Sequence, residues 1–296
     1  MERETERVET DHGTFRSFRD DLVTRQLRRF GAHQRNELAM LLGFVRPGDR
    51  VVDVGAHVGT FTVPLAVRAG AGGRLFAFEG LAEHCELLAD NLAANGVGAW
   101  TEVHRAVVSD RPGPFVAEVR PDNTAETRFL EATDGEGEDG PPVLALDDWW
   151  RRLPAGERRV DLVKIDAEGM ELEILRSGRE LLAACRPILY LEVHRRQLAR
   201  RGTAVADLER FLAAHGYHLF RNLHRRNAVR DSFRIGRLAR LEHGGPFFDV
   251  LAVRPDSERY PASFRGPWLT VLGLRLRAWL RAAVRVFRLW PRRPLA

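Results

Sequence analysis

Three things are scarce in this 296-residue chain: it has two cysteines, Cys85 and Cys185, and a single lysine, Lys164. It also has no run of about 18 uncharged apolar residues, the length that crosses a bilayer. Two cysteines make no disulfide framework and suit a reducing compartment. The first residues are polar and charged, without the pattern of a signal peptide, so a cytoplasmic location is expected. The lysine is one of 46 basic residues, the rest being arginine. An arginine-rich vocabulary follows from GC-rich coding and needs no function. It does not explain why one lysine persists, since the two side chains differ in geometry and in readiness to lose a proton.

The remaining composition is ordinary for a globular protein, at 44% hydrophobic and 29% charged. It suits one large α/β domain with appendages. The net charge of +5 is unevenly spread. Arg195 to Arg240 hold twelve arginines against three acids, and Trp268 to Ala296 hold seven arginines and no acid. Basic character confined to the later part of the chain fits nucleic acid, an acidic substrate or an anionic membrane surface equally well.

The strongest local pattern is Val51-Val52-Asp53-Val54-Gly55-Ala56-His57-Val58-Gly59-Thr60. β-Branched residues run into an acid and then two glycines, and Thr60 to Arg68 has helical character. This reads as a buried strand, a tight turn and a helix whose free N–H groups face the turn. Residues without Cβ let a ligand lie against the backbone there. The G-x-x-x-G spacing differs from the three-glycine pattern that holds a dinucleotide pyrophosphate.

Around this stretch the chain alternates strands and helices. Residues 1–20 read as a loose arm, and Leu22 to Phe44 as two short helices divided at Gly31. Strands are expected at Arg74–Glu79, Trp100–Val108, Val160–Asp166, Pro187–Val193, Tyr217–Asn222 and Phe247–Val253, with an accessory strand at Phe115–Arg120. Helices are expected at Leu81–Asn95, from Leu146, at Glu171–Leu182 and at Ala204–His215, and Thr133–Pro142 as a mobile loop. The alternation predicts a doubly wound, mostly parallel sheet spanning 21–255, with the last strand able to enter antiparallel. Ligands in such sheets sit beyond the carboxyl ends of the strands. That rim collects Asp53 to Gly59, Glu79, Arg105, Asp166 to Gly169 and Glu192 to His194. An acid such as Glu79, ending the second strand, suits a pair of ribose hydroxyls.

The segment Val160-Asp161-Leu162-Val163-Lys164-Ile165-Asp166-Ala167-Glu168-Gly169-Met170-Glu171, with Val51 to Thr60, Phe78-Glu79 and Leu191-Glu192-Val193-His194, resembles the FkbM family of S-adenosylmethionine-dependent methyltransferases. The resemblance runs from about Asp21 to Val253. It implies a Rossmann-like, class I methyltransferase fold with N-terminal helices. It also implies that Asp53, Gly55, Ala56 and Gly59 face the methionine part of S-adenosylmethionine, that Glu79 holds its ribose, and that Arg105 and Ala106 lie beside its adenine. Asp166 would sit near the methionine amino group and the transferred methyl. The implied reaction is methylation of a hydroxyl on a small molecule or glycan, of sugar or polyketide type.

Methyl transfer to oxygen needs alignment and a destination for the hydroxyl proton. Asp166, Glu168, Glu192 and His194 are the candidate bases, His194 having the ordinary pKa nearest neutrality. Lys164 lies two residues before Asp166 on one strand face and is expected to hold that carboxylate ionised or to donate to the acceptor. The same acids and histidine could ligate a cation, but no spaced ligand motif calls for one, and no metal is expected. Residues 267–290 read as a basic amphipathic helix with Arg277, Arg281, Arg285 and Arg288 opposite Trp268, Leu272, Trp279 and Trp290. It suits an anionic membrane interface or a protein partner. Two rivals remain at this point: a cofactor-binding module without catalysis, and a nucleic-acid methyltransferase. The second lacks the Asn/Asp-Pro-Pro-aromatic motif of base methylation near Asp166.

Overall fold

A computed structural model describes residues 3–132, 140–224 and 226–261. In chain order the elements are β1 (Thr5–Thr10), β2 (Gly13–Phe18), α1 (Leu22–Phe30), α2 (Arg35–Leu42), β3 (Arg50–Val54), α3 (Thr62–Ala69), β4 (Arg74–Glu79), α4 (Ala82–Ala94) and β5 (Thr101–Arg105). Next come β6 (Val107–Val108), β7 (Phe115–Glu118), β8 (Arg128–Glu131), β9 (Val143–Leu144), α5 (Leu146–Arg152), β10 (Leu162–Ile165), α6 (Glu171–Ser177) and α7 (Arg179–Cys185). The chain then forms β11 (Ile188–His194), α8 (Arg195–Arg200), α9 (Val205–Ala214), β12 (His218–Asn222), β13 (Ile235–Leu238) and β14 (Phe247–Val253).

The central sheet has the order β13-β12-β14-β11-β10-β3-β4-β5. From β5 to β11 neighbouring strands are parallel, and β14 enters antiparallel between β11 and β12. The inner parallel strands β3, β4, β10 and β11 are covered on both faces, which is why they read as apolar runs rather than alternating ones, whereas the edge strand β5 is half-exposed. One face carries Val52, Val54, Phe76, Phe78, Val163 and Ile165 into a core shared with Leu146, Leu172 and Leu208. The other carries Val51, Leu75, Ala77, Leu162, Ile188 and Tyr190 against Leu38, Leu41, Val63 and Leu65 of α2 and α3. Each such side chain, fully buried, contributes about 1.5–3 kcal/mol. Chain order reverses between β3 and β10, and the crevice at their carboxyl ends is the switch point of the sheet.

Strand alternation fixes what lines that crevice. On the α2 side, Asp53 follows Val51, Lys164 follows Leu162, Glu192 follows Tyr190, and Asp249 precedes Leu251. The register sets Asp53 beside Lys164, Lys164 beside Tyr190, and Glu192 beside Asp249. An apolar sheet face therefore becomes a polar row at its rim.

Four differences from the sequence reading have local causes. The expected loose arm is a hairpin, β1–β2, docked on α4. Asn91 of α4 and Asn95, which caps its end, accept the backbone N–H groups of Arg16 and Thr14, and Phe15 is buried. Its apolar alternation is too thin to announce it. The strand expected through Val108 ends at Arg105, because Val107 and Val108 leave the sheet to pair with β9. The helix expected from Glu171 to Leu182 breaks at Gly178, which packs against Leu146. Two elements, α8 and β13, occupy segments with no strong period. The basic segment 267–290 and residues 133–139 lie outside the described residues. Among the described residues no helix is long and apolar enough to cross a membrane.

Candidate active site

The turn after β3 is built from backbone. Gly55 has φ +77°, and the Gly55 and Ala56 N–H groups both donate to the Phe78 carbonyl. A Cβ at Gly55 would stand 1.8 Å from the Asp166 carbonyl oxygen, so the β3 turn and the β10 loop touch through glycine alone. His57 is left-handed as well, at φ 52°, an uncommon state for a side-chain-bearing residue and one that clusters at functional sites.

Glu79 ends β4 and closes this turn. Its carboxylate accepts the His57 N–H at 2.9 Å and the Leu81 N–H at 2.9 Å, with His84 Nδ1 at 3.4 Å. Burial alone would raise its pKa; His84 and the two backbone N–H groups outweigh burial and hold it below the usual carboxylate value. An ionised, preorganised acceptor results. Gly55, His57, Glu79, Ala106, Phe129 and Asp166 line one cleft. Arg105 has an exposed side chain and leaves the lining to its neighbour Ala106. The wall opposite the turn is one the sequence did not reveal. Thr124 Oγ1 is 2.7 Å from His57 Nε2, and the Phe129 ring stands where any Cβ on Gly80 would point.

Lys164 and Asp53 form the floor beneath. Lys164 Nζ donates to Asp53 Oδ1 at 2.8 Å and to the Gly55 carbonyl at 3.2 Å, with Asp166 Oδ2 at 4.0 Å. Asp53 Oδ2 accepts from Thr62 Oγ1 at 2.7 Å. Both members of the pair are sealed, at 2% and 0% exposure. Burial pulls the lysine pKa down, but Asp53 and Asp166 together carry it above its usual value, so the ammonium stays charged. Two expectations change here. The first partner of Lys164 is Asp53 and not Asp166, because the parallel register sets those side chains side by side. Asp53, with both oxygens engaged inside the protein, braces the turn from below instead of presenting a carboxylate to the cleft.

On the other side of Asp166 lies a layer of buried polar groups under α2. Glu192 accepts from Gln34 Nε2 at 2.9 Å and pairs with Arg226 at 2.9 Å. Arg226 also binds Asp249 through two nitrogens, and the Tyr190 hydroxyl donates to Asp249 at 2.8 Å. Burial, then the facing Asp166, push Glu192 well above its usual pKa. Burial likewise lifts Glu168 to about 8, again with Asp166 adding to it. Glu168 therefore holds its proton at neutral pH, and Glu192 binds a proton more tightly than an ordinary carboxylate. His194 ends β11 on the same face as Glu192, its ring against Phe247 at 5.5 Å. His33, Gln34, Arg226 and Asp249 were missed from sequence. Gln34 had one detectable oddity only in three dimensions, its left-handed φ of 49°.

Among the described residues, no group of three or more His, Cys, Asp or Glu is arranged to hold a metal ion. A family model for the FkbM methyltransferase domain matches residues 53–219. The chain belongs to the FkbM methyltransferase family. Solved structures with a similar chain path include cofactor-bound Rv0187 from MTB, at 20% identity, TM-score 0.42, covering 75% of this chain and 79% of that one. Another is the O-methyltransferase TomG from Streptomyces achromogenes in complex with SAM, at 18% identity, TM-score 0.42, with the same two coverages. A third is TYW2 from M. jannaschii in complex with AdoMet, at 12% identity, TM-score 0.42, covering 86% and 88%. No curated protein matches the chain.

The methyltransferase cofactor, S-adenosylmethionine, fits the residues present. Gly55 and Gly59 keep Cβ atoms off the turn, where a Cβ at Gly59 would meet Leu88 at 2.5 Å. Glu79, an ionised acceptor, would hold ribose hydroxyls, and Ala106 with Phe129 would give apolar surface for a purine. Asp166 offers the one carboxylate shared by this cleft and the polar layer.

Proposed function

We propose that this methyltransferase transfers a methyl group to a hydroxyl oxygen of a neutral, polyhydroxylated small molecule or glycan, in the cytoplasm. When bound, S-adenosylmethionine supplies an electrophilic methyl on a sulfonium. The observation that carries the reading is the layer of buried polar side chains directly beside the cofactor turn, where Glu192 accepts from Gln34 and pairs with Arg226, and Asp166 lies 4.0 Å from Lys164. Oxygen acceptors need such groups, because the hydroxyl proton must be removed as the new bond forms. The Asp166 carboxylate, in the cleft lining, would face the cationic end of the cofactor, and Lys164 with Asp53 braces the Gly55 turn beneath it. The buried cations support a neutral acceptor. Lys164 is matched by Asp53, and Arg226 by Glu192 and Asp249, so neither is left to bind a phosphate or carboxylate. That same pairing speaks against nucleic acid in the layer.

The test is transfer of labelled methyl from S-adenosylmethionine to a panel of methyl glycosides and polyketide-type alcohols, with the methylated atom located by mass spectrometry. Transfer to oxygen supports the reading. Transfer only to nitrogen, or salt-sensitive transfer to RNA, overturns it. A second proposal concerns residues 267–290, whose basic amphipathic pattern suits an anionic bilayer interface. Flotation with phosphatidylglycerol vesicles should be lost on truncation after Pro261. Equal flotation of both proteins would remove that role.

A further inference from the structure

The α1–α2 turn puts a base into the site that none of the sequence motifs contains. His33 is buried, 9% exposed, and its Nδ1 has no hydrogen-bond partner among the described residues. Its ring meets Phe61 edge-on at a centroid distance of 6.4 Å. The charged and titratable groups that act on it come from three elements: Lys164 and Asp166 from β10 and its loop, Arg226 after β12, and His57 from the glycine turn. Those are the two halves of the site. The next residue, Gln34, is left-handed, a backbone state that costs about 1–3 kcal/mol outside glycine. It is tied to Glu192 by its amide and to Gln26 by its backbone N–H. A strained residue anchored at both ends holds the turn that carries His33.

We propose that His33 is the base that takes the proton of the acceptor hydroxyl. The inference rests on the oxygen-methylation reading above. The acceptor oxygen forms a bond to the methyl carbon, the carbon–sulfur electron pair returns to sulfur, and the O–H proton passes to the His33 imidazole. The rival groups are engaged. Glu168, lifted to about 8, holds a proton near neutrality, Glu192 is tied to Gln34 and Arg226, and Asp166 stands 4.0 Å from Lys164. Burial lowers the His33 pKa to about 4, so the ring is neutral and able to accept. Asp166 acts in the opposite direction, its charge favouring the imidazolium once formed.

Two measurements test this. In protein with ¹⁵N-labelled histidine, the His33 ring nitrogens, identified by their loss in His33→Asn, should report a neutral imidazole from pH 5 to 8. A cationic ring at pH 6–7 overturns the proposal, whether or not an acceptor has been found. With methyl glycosides of glucose, galactose and mannose as acceptors, His33→Asn should lower kcat by 100-fold or more. Its calorimetric Kd for S-adenosylmethionine should stay within about threefold. Undiminished kcat in a folded His33→Asn overturns the proposal. Failure of the wild-type protein to bind S-adenosylmethionine, by contrast, sinks the underlying reading and leaves the ring titration to judge His33.

Discussion

Replacing Lys164 by Met should unbalance the whole site from below. The ammonium is 2% exposed, and its partner Asp53 is 0% exposed, so solvent screens neither. Without the lysine, Asp53 keeps one hydrogen bond, from Thr62, and an uncompensated buried charge. Breaking a buried pair in this way costs about 3–5 kcal/mol, against roughly 0–1 for an exposed pair. At about 2–4 °C per kcal/mol for a domain of this size, the melting temperature should fall by roughly 6–20 °C. Adding Asp53→Asn to the variant should recover part of the loss, with a coupling energy of about 1–3 kcal/mol in the double-mutant cycle. The pH dependence has a definite sign. The folded lysine pKa is raised, so its contribution is complete below the unfolded value of about 10.4 and lost only as pH rises through the folded one. Urea midpoints of wild type and Lys164→Met should therefore differ by a constant amount from pH 6 to 9. A loss under about 1 kcal/mol, or additive single effects, would refute the reasoning. Lys164→Arg keeps the charge but brings a planar fork into a space closed at 2.8 and 3.2 Å, and should lower methyl transfer by tenfold or more.

Glu79→Gln removes a charged acceptor worth about 1.5–3 kcal/mol, so calorimetric affinity for S-adenosylmethionine should fall roughly 10- to 100-fold; unchanged affinity would exclude ribose binding there. Glu171 is fully buried, accepts the Gly169 N–H at 2.9 Å, and is pushed up to about 7 by burial. The folded state thus binds this proton more tightly, and the stability it contributes is present below the unfolded pKa and lost as pH rises through 7. Glu171→Gln keeps the acceptor, so wild type should lose roughly 3 kcal/mol relative to it between pH 5 and 8.5 in urea unfolding. Gly55→Ala meets the Asp166 carbonyl at 1.8 Å in a left-handed turn, and should lose ~3 kcal/mol or more with cofactor binding. Wild-type melting and affinity in that variant would show the turn to be compliant.

What was legible without coordinates was local. β-Branched runs at Val51–Val54 and Val160–Ile165, the Gly55 and Gly59 positions, and the acid at Glu79 mark strands and turns because period and backbone freedom are written residue by residue. The antiparallel entry of β14 was readable too, from the missing helix between the last two expected strands.

The sequence by itself determined the cofactor half of this protein: a strand, a glycine turn and a strand-end acid, contiguous or nearly so and dictated by short-range sterics. Tertiary structure alone decided the rest. The Lys164–Asp53 pair joins residues 111 apart through parallel register. Glu192 meets Gln34 across 158 residues. No periodicity reports such distances, because the sheet order and the packing of α2 over it, not the neighbours in sequence, choose which polar groups share a buried space. His33 shows this most plainly. In sequence it is one histidine between two short helices; in the fold it is buried against Phe61, with Nδ1 unpartnered among the described residues.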